Sequence, residues 1–191
     1  LKHRGPDHSH ISKINSNLVF GHNRLKIIDL SDRANQPFSY KKISLIFNGV
    51  IYNYLELKNE INKNIYDFKT TSDTEVILAS YLKWGDACFK KFTGMFSIVL
   101  WDGNKKKLLC ARDKLGIKPL YYSFKNKNLL LSSEITPIHK LVKPSMNEEV
   151  LSNYLNFSLY ENKSQTFFNS IKQIEPGYIY KFDVNNKFSK N

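Results

Sequence analysis

Between residues 94 and 134 the sequence GMFSIVLWDGNKKKLLCARDKLGIKPLYYSFKNKNLLLSSE divides into four short apolar runs, and the apolar period drops to two. That change commits this part of the chain to β structure. MFSIVLWDG, KKLLCARD, PLYYSF and NLLLSSE are of strand length, and Asp102-Gly103, the LGIKP segment and a Lys-Asn-Lys-Asn tip separate them, as in an antiparallel meander.

The flanking sequence supplies helices and further strands. Ser72 followed three residues later by Glu75 reads as a capping box, Asp73 places a carboxylate where a helix dipole favours it, and Gly85 closes the segment, so a helix is expected between Ser72 and Gly85. EEVLSNYLNF reads as another helix, and GYIYKFDV, after Pro176-Gly177, as a last strand. Residues 17 to 29 read as strand, break at Gly21 and strand again, and residues 43 to 47 as a further strand. Between them SDRANQPFSYKK reads as loop, with Pro37 excluded from a central strand. This order suits an α+β domain with antiparallel sheets. With 191 residues, 41% of them hydrophobic, the chain can bury one substantial core as a single domain, residues 1 to 191.

One stretch does not fit the simple reading. ISLIFNGVIYNYLEL, residues 43 to 57, runs an apolar strand into Asn48-Gly49, ordinarily a hairpin signal, yet residues 52 to 62 read as a helix rather than a returning strand. Taken alone, the pair is explained as a strand-to-helix turn that uses Asn-Gly for its backbone angles.

Several function classes are set aside on composition. No apolar run approaches the roughly 18 residues that span a membrane, and LKHRGPDHSH has no signal-peptide core, so a cytoplasmic chain without a membrane partner is expected. Cys88 and Cys110 are too few for a disulfide framework and have no partners at metal-ligand spacing; both are expected reduced, with no metal site. The net charge of +12 invites a nucleic-acid reading, but the lysines are scattered among asparagines and the run from Lys105 to Lys107 sits at a hairpin tip. A solvated basic surface is expected instead. Leu1 is not an initiator methionine and the chain opens without a cap or turn signal, so it is expected to be a piece of something longer.

HRGPD (3 to 7), GHNRLKIIDLS (21 to 31), QP (36 to 37), NGVIYN (48 to 53), SDTEVIL (72 to 78), LKWG (82 to 85), GMFSIVLWD (94 to 102), ARDKLGIKPLYY (111 to 122), SSE (132 to 134) and PGY (176 to 178) resemble, in order and spacing, the glutaminase domain of glutamine-hydrolysing asparagine synthetases. The resemblance covers nearly the whole chain. HRGPD with RDKLGIKPLYY favours this branch over the aminosugar-forming and purine-pathway class II amidotransferases.

The resemblance implies an N-terminal-nucleophile hydrolase fold, a four-layer αββα sandwich in which two stacked antiparallel sheets lie between helical layers. It implies hydrolysis of L-glutamine to glutamate and ammonia, the ammonia serving ATP-dependent amidation of aspartate to asparagine in a C-terminal synthetase domain. That domain would use ATP and Mg2+ at a Ser-Gly-Gly-x-Asp loop, which nothing here resembles; no cofactor is expected in this domain, and a homodimer is possible for the full-length enzyme. In the family the nucleophile is a cysteine at the start of the mature chain, with its own α-amino group as base. Cys88 and Cys110 match no such position, so the chain as it stands is expected to be inactive, lacking its opening segment. In the family that segment also supplies a core strand, and its loss is expected to bare the edges of strands around residues 18 to 20 and 43 to 47.

By match, Asn48 and Gly49 form the oxyanion hole, the asparagine amide and the glycine N–H pointing at the oxygen that becomes negative. Arg24 matches the residue that binds the substrate carboxylate, Asp73 the one that binds its ammonium, and Leu25, Lys26, Ile27 and Ile28 should line the pocket beside Arg24. Val50 departs from the pattern: the family usually has glutamate there, whose carboxylate helps to hold the ammonium. His3, His8 and His22 are assigned no role. Two alternatives accompany the leading reading, a catalytically silent structural or partner-binding module and an amidotransferase acting on a sugar acid.

Overall fold

A computed structural model describes residues 1–159, 163–183 and 188–190. In chain order the strands are β1 (His8–Asn15), β2 (Leu18–Arg24), β3 (Phe38–Tyr40), β4 (Ile43–Ile51), β5 (Gly94–Asp102), β6 (Lys107–Arg112), β7 (Tyr121–Lys125), β8 (Asn128–Ser132), β9 (Lys172–Gln173), β10 (Ile179–Asp183) and β11 (Phe188–Lys190). The α-helices are α1 (Tyr54–Glu60), α2 (Asp73–Trp84), α3 (Ile135–Val142) and α4 (Glu148–Phe157). The strands form a six-stranded sheet in the order β11-β10-β6-β5-β4-β3, a three-stranded sheet β8-β7-β9 and a ribbon β1-β2, all antiparallel.

Strand alternation sorts the side chains of the large sheet into two cores. Leu45, Phe47, Ile51, Phe96, Ile98, Leu100, Leu109 and Ala111 face α1 and α2, where Leu57, Val76, Ile77, Leu78 and Tyr81 complete a buried cluster. On the opposite face Val99, Leu108, Cys110, Tyr180 and Phe182 pack against Phe20 of the ribbon, Tyr122 of the small sheet and Leu120 just ahead of it. With α3 against β7 and β8, the layers run helix, sheet, sheet, helix, the αββα arrangement that the resemblance implies.

The four strands expected between residues 94 and 134 all form, but they do not make one meander. β5 and β6 stay in the large sheet, while β7 and β8 belong to the other layer. The intervening loop is held by Asp113, whose carboxylate accepts from the N–H groups of Phe96, Leu115, Ile117 and Lys118. A buried carboxylate collecting backbone donors fixes the crossing in a way that no apolar period reports. The Lys-Asn-Lys-Asn tip is a two-residue hairpin with positive φ at Asn126 and Lys127, which asparagine tolerates well.

Other expectations shift. Residues 18 to 24 are one strand running through Gly21, paired with Ile11, and residues 25 to 28 are loop rather than a second strand. Part of the expected 30s loop is strand: β3 follows Pro37 directly and takes the sheet edge, where proline is tolerated. Ser72 caps α2 by accepting from the Thr74 N–H, but Glu75 does not reach back to complete a box; it accepts instead from Tyr66 Oη and from the Lys69 and Thr70 N–H groups. β1, α3 and the short β9 and β11 had no recognised signal, whereas α4 spans the expected segment.

The expected bare edge around residues 43 to 47 is not found. β4 is flanked by β3 and β5, and past Leu45, where β3 stops, side chains take over the edge. β2 and β8, by contrast, each pair on one side only among the described residues.

Candidate active site

Strand register builds the floor of a cavity of about 370 Å³ between the two sheet layers. In the β4–β5 pair Ile46 lies opposite Val99, Asn48 opposite Ser97 and Val50 opposite Met95, and all six line it. Gly21 to Arg24 of β2 and Leu131 and Ser132 of β8 form facing walls. The Asn48-Gly49 pair therefore lies inside a strand, neither a hairpin nor a strand-to-helix turn: β4 runs to Ile51 before the chain enters α1.

Asn48 carries the clearest signal. Its Nδ2 is buried and has no hydrogen-bond partner among the described residues, an arrangement that costs roughly 1–3 kcal/mol when nothing compensates it. Gly49 is the only residue its site admits: φ is +151°, and a Cβ there would lie 2.0 Å from the Met95 carbonyl oxygen. Residues two apart in a strand direct their peptide groups to the same edge, so the Gly49 N–H shares an edge with those of Phe47 and Ile51. Both of those are held by side chains, Phe47 N–H by Gln36 Oε1 at 2.6 Å and Ile51 N–H by Asp73 Oδ2 at 3.1 Å.

Three buried charged residues line the cavity, Arg24, Asp29 and Asp73, and none has an ionic partner among the described residues. Arg24 is 6% exposed; its Nη1 donates to the Ser31 carbonyl and Asn35 Oδ1 at 2.8 Å each, and its Nη2 to the Asp29 carbonyl, but no carboxylate pairs with it among the described residues. Asp73, 4% exposed, begins α2 with no cation against it among the described residues; burial raises its pKa above the ordinary carboxylate value, opposed by backbone N–H donors. Asp29 joins the two regions, accepting from the Ser31 N–H and from both the N–H and the hydroxyl of Thr71. Those bonds outweigh its desolvation and hold its pKa far below the usual range.

Of the residues expected to line the pocket, Leu25, Ile27, Ile28, Val50, Arg24, Asn48, Gly49 and Asp73 do so. Lys26 does not. Its N–H donates to Asp7 and its Nζ pairs with Asp32 at 2.8 Å, because those carboxylates lie outside the cavity and draw the side chain with them.

Three site residues were not singled out from sequence. Gln36 and His22 hold the Phe47 peptide, and Asp29 braces the Arg24 loop; each acts on backbone, which leaves no trace in apolar spacing. His22 Nε2 lies 3.2 Å from the Phe47 carbonyl oxygen, which can only accept, so Nε2 carries the proton. Burial pushes the pKa of His22 down to about 4, keeping the ring neutral near pH 7. Cys88 and Cys110 are fully buried in the two cores, away from the cavity, and burial pushes both thiols up.

The family model described as "Glutamine amidotransferase domain" matches residues 1–191. Glutamine-hydrolyzing asparagine synthetase 1 of Bacillus subtilis (strain 168) is 38% identical over 180 residues, covering 93% of this chain and 28% of its own length. Asparagine synthetase 3 of the same organism is 34% identical over 188 residues, covering 95% and 30%. The chain thus spans about a third of the length of these relatives. Among solved structures, the B. subtilis glutamine phosphoribosylpyrophosphate amidotransferase aligns with a TM-score of 0.64 over 91% of this chain and 34% of that one, at 18% identity, a likeness of fold alone. A match over the full length of the chain, on a sandwich whose cavity is floored by Asn48 and Gly49, shows that this chain belongs to the glutamine amidotransferase domain family.

Proposed function

We propose that the cavity binds L-glutamine and that this chain is the glutaminase part of an asparagine synthetase-like enzyme, releasing ammonia for ATP-dependent amidation of aspartate by a C-terminal synthetase domain. The observation that carries the reading is the unsatisfied Asn48 Nδ2 in a cavity that also holds Arg24 and Asp73, a buried cation and a buried anion with no ionic partner among the described residues. A free amino acid with a carboxamide side chain answers all three. Its carboxylate suits the Arg24 guanidinium, its ammonium suits Asp73, and its amide oxygen, once attacked, suits Asn48 Nδ2 and the Gly49 N–H. Amide hydrolysis needs no cofactor here; ATP and Mg2+ belong to the synthetase step. A cytoplasmic setting fits that chemistry.

The nucleophile belongs to an extended segment ahead of Leu1, with the family's terminal cysteine at its start. The single-sided β2 and β8 support this placement, since both border the cavity and a strand between them would join the ribbon and the small sheet into one layer.

The test is glutamate release from L-glutamine by the full-length protein, with ligand binding read separately as a rise in melting temperature. Asp73→Asn should raise KM by about ten- to a hundredfold, the worth of a hydrogen bond to a charged group, with a smaller change in kcat. KM should also climb as pH falls toward the raised pKa of Asp73, because the protonated carboxyl no longer attracts an ammonium. The same upward shift has a stability consequence: ligand-free Asp73 disfavours folding increasingly as pH rises through its folded value, since the folded chain then binds more protons than the unfolded one. A pH-independent KM would remove Asp73 from ammonium binding.

Val50 provides a gain-of-affinity test. Its side chain faces the cavity beside Asn48, and Ile51, the next residue, is bonded to Asp73. Val50→Glu should lower KM for glutamine by about tenfold or more with kcat little changed, because the added carboxylate meets an ammonium remote from the scissile amide. If neither Val50→Glu nor Asp73→Asn alters KM, a silent binding module becomes the better reading.

A further inference from the structure

We infer that Gln36, assisted by His22, is a positioning residue for the oxyanion donors; the inference rests on the reading of the cavity as a glutaminase site. β3 pairs with β4 only as far as Leu45, so from Phe47 onward one edge of β4 has no strand beside it among the described residues. Side chains replace that strand. Gln36 Oε1 accepts the Phe47 N–H at 2.6 Å, His22 Nε2 donates to the Phe47 carbonyl at 3.2 Å, and Asp73 Oδ2 accepts the Ile51 N–H at 3.1 Å. Gly49 lies between these clamps.

Gln36 holds the Ile46–Phe47 peptide through its N–H and His22 holds the Phe47–Asn48 peptide through its carbonyl; with both planes fixed on either side of Phe47, the direction in which the Asn48 side chain leaves the strand is fixed as well. Gln36 has a second attachment: its Nε2 donates to Thr74 Oγ1 at 3.3 Å, in the first turn of α2 next to Asp73. At 5% exposure it is a buried brace between the strand that carries the oxyanion donors and the helix that carries the ammonium-binding carboxylate. Such a brace acts on catalysis more than on binding, because donors aimed at transition-state charge lose their effect with small displacements.

The experiment uses the full-length protein. Gln36→Met, similar in shape but unable to accept from the Phe47 N–H, should lower kcat about tenfold or more and leave KM within about threefold. Gln36→Glu, which keeps an acceptor oxygen, should recover most of that loss. In an Asn48→Ala background Gln36→Met should cost little more, since a residue that acts through Asn48 has nothing left to position. Should Gln36→Met fail to fold, Thr74→Val, which frees only the far end of the brace, should show a smaller kcat loss with the same dependence on Asn48. Unchanged kcat for the folded variants, or losses that multiply with that of Asn48→Ala, would overturn the positioning role. Full activity in Asn48→Ala itself would overturn the cavity reading along with it, so the two failures are distinguishable.

Discussion

Replacing Asn48 by alanine is expected to lower kcat for glutamine hydrolysis by the full-length protein about a hundredfold or more, with KM changed by a small factor. The side-chain Nδ2 is buried at the cavity floor, on the residue opposite Ser97, and donates to no group among the described residues, so this donor holds nothing in the ligand-free fold together. Its donor is of use only when an oxygen arrives beside it. A neutral substrate amide gains little from that donor, and a tetrahedral oxyanion gains much, so the loss falls on the chemical step and amounts to roughly 3–4 kcal/mol. Stability should move the other way. Removing a buried, unsatisfied donor relieves a desolvation cost, and the melting temperature of Asn48→Ala should equal or exceed that of the parent. A variant that loses activity together with stability would instead mark Asn48 as part of the scaffold.

The family, the fold and most of the cavity were legible in the sequence because they depend on local motifs. Asn48 and Gly49 announce themselves as a pair that ordinary hairpin grammar does not explain, and Asp73 is visible as a helix-start carboxylate although its larger burden is the Ile51 N–H. What could not be read was long-range polar bracing. Gln36 is joined to Thr74 across 38 positions and Asp29 to Thr71 across 42. No periodicity links such residues, since the contact is created by the packing of layers and its geometry is specified by hydrogen bonds rather than by an apolar stripe. The Glu75 misreading is a local one: Tyr66, Lys69 and Thr70, within nine residues before it, hold its carboxylate in place of the capping-box contact. The reading of LGIKP as a connection within one meander failed because a crossing between layers and a hairpin loop of similar length look alike until Asp113 is seen gathering the loop's amides.

Purified as these 191 residues, the polypeptide is expected to release no glutamate from glutamine above the uncatalysed background. Attack on an amide needs a nucleophile in contact with the cavity and a base to activate it. Neither thiol qualifies. Cys88 is packed between helix and sheet, Cys110 between the sheets, neither lines the cavity, and burial raises both pKa values, so almost no thiolate exists near pH 7. Hydroxyls are present, for Ser97, Ser132 and Ser133 line the cavity, but no hydrogen bond joins any of them to His22 among the described residues. His22 is committed through Nε2 to the Phe47 carbonyl, and its low pKa makes it a weak base. Oxyanion donors and substrate-binding charges without a nucleophile can bind glutamine but have no bond-forming step to stabilise. Joining an N-terminal segment that begins with cysteine should restore turnover, and Cys→Ala at that first position should abolish it, with Cys88→Ala and Cys110→Ala leaving it intact. Sustained turnover by the 191 residues alone that survives loss of both thiols would require a serine-based mechanism in this cavity, and turnover abolished by Cys110→Ala would require the two sheets to open. Glutamate assays on these proteins separate the outcomes.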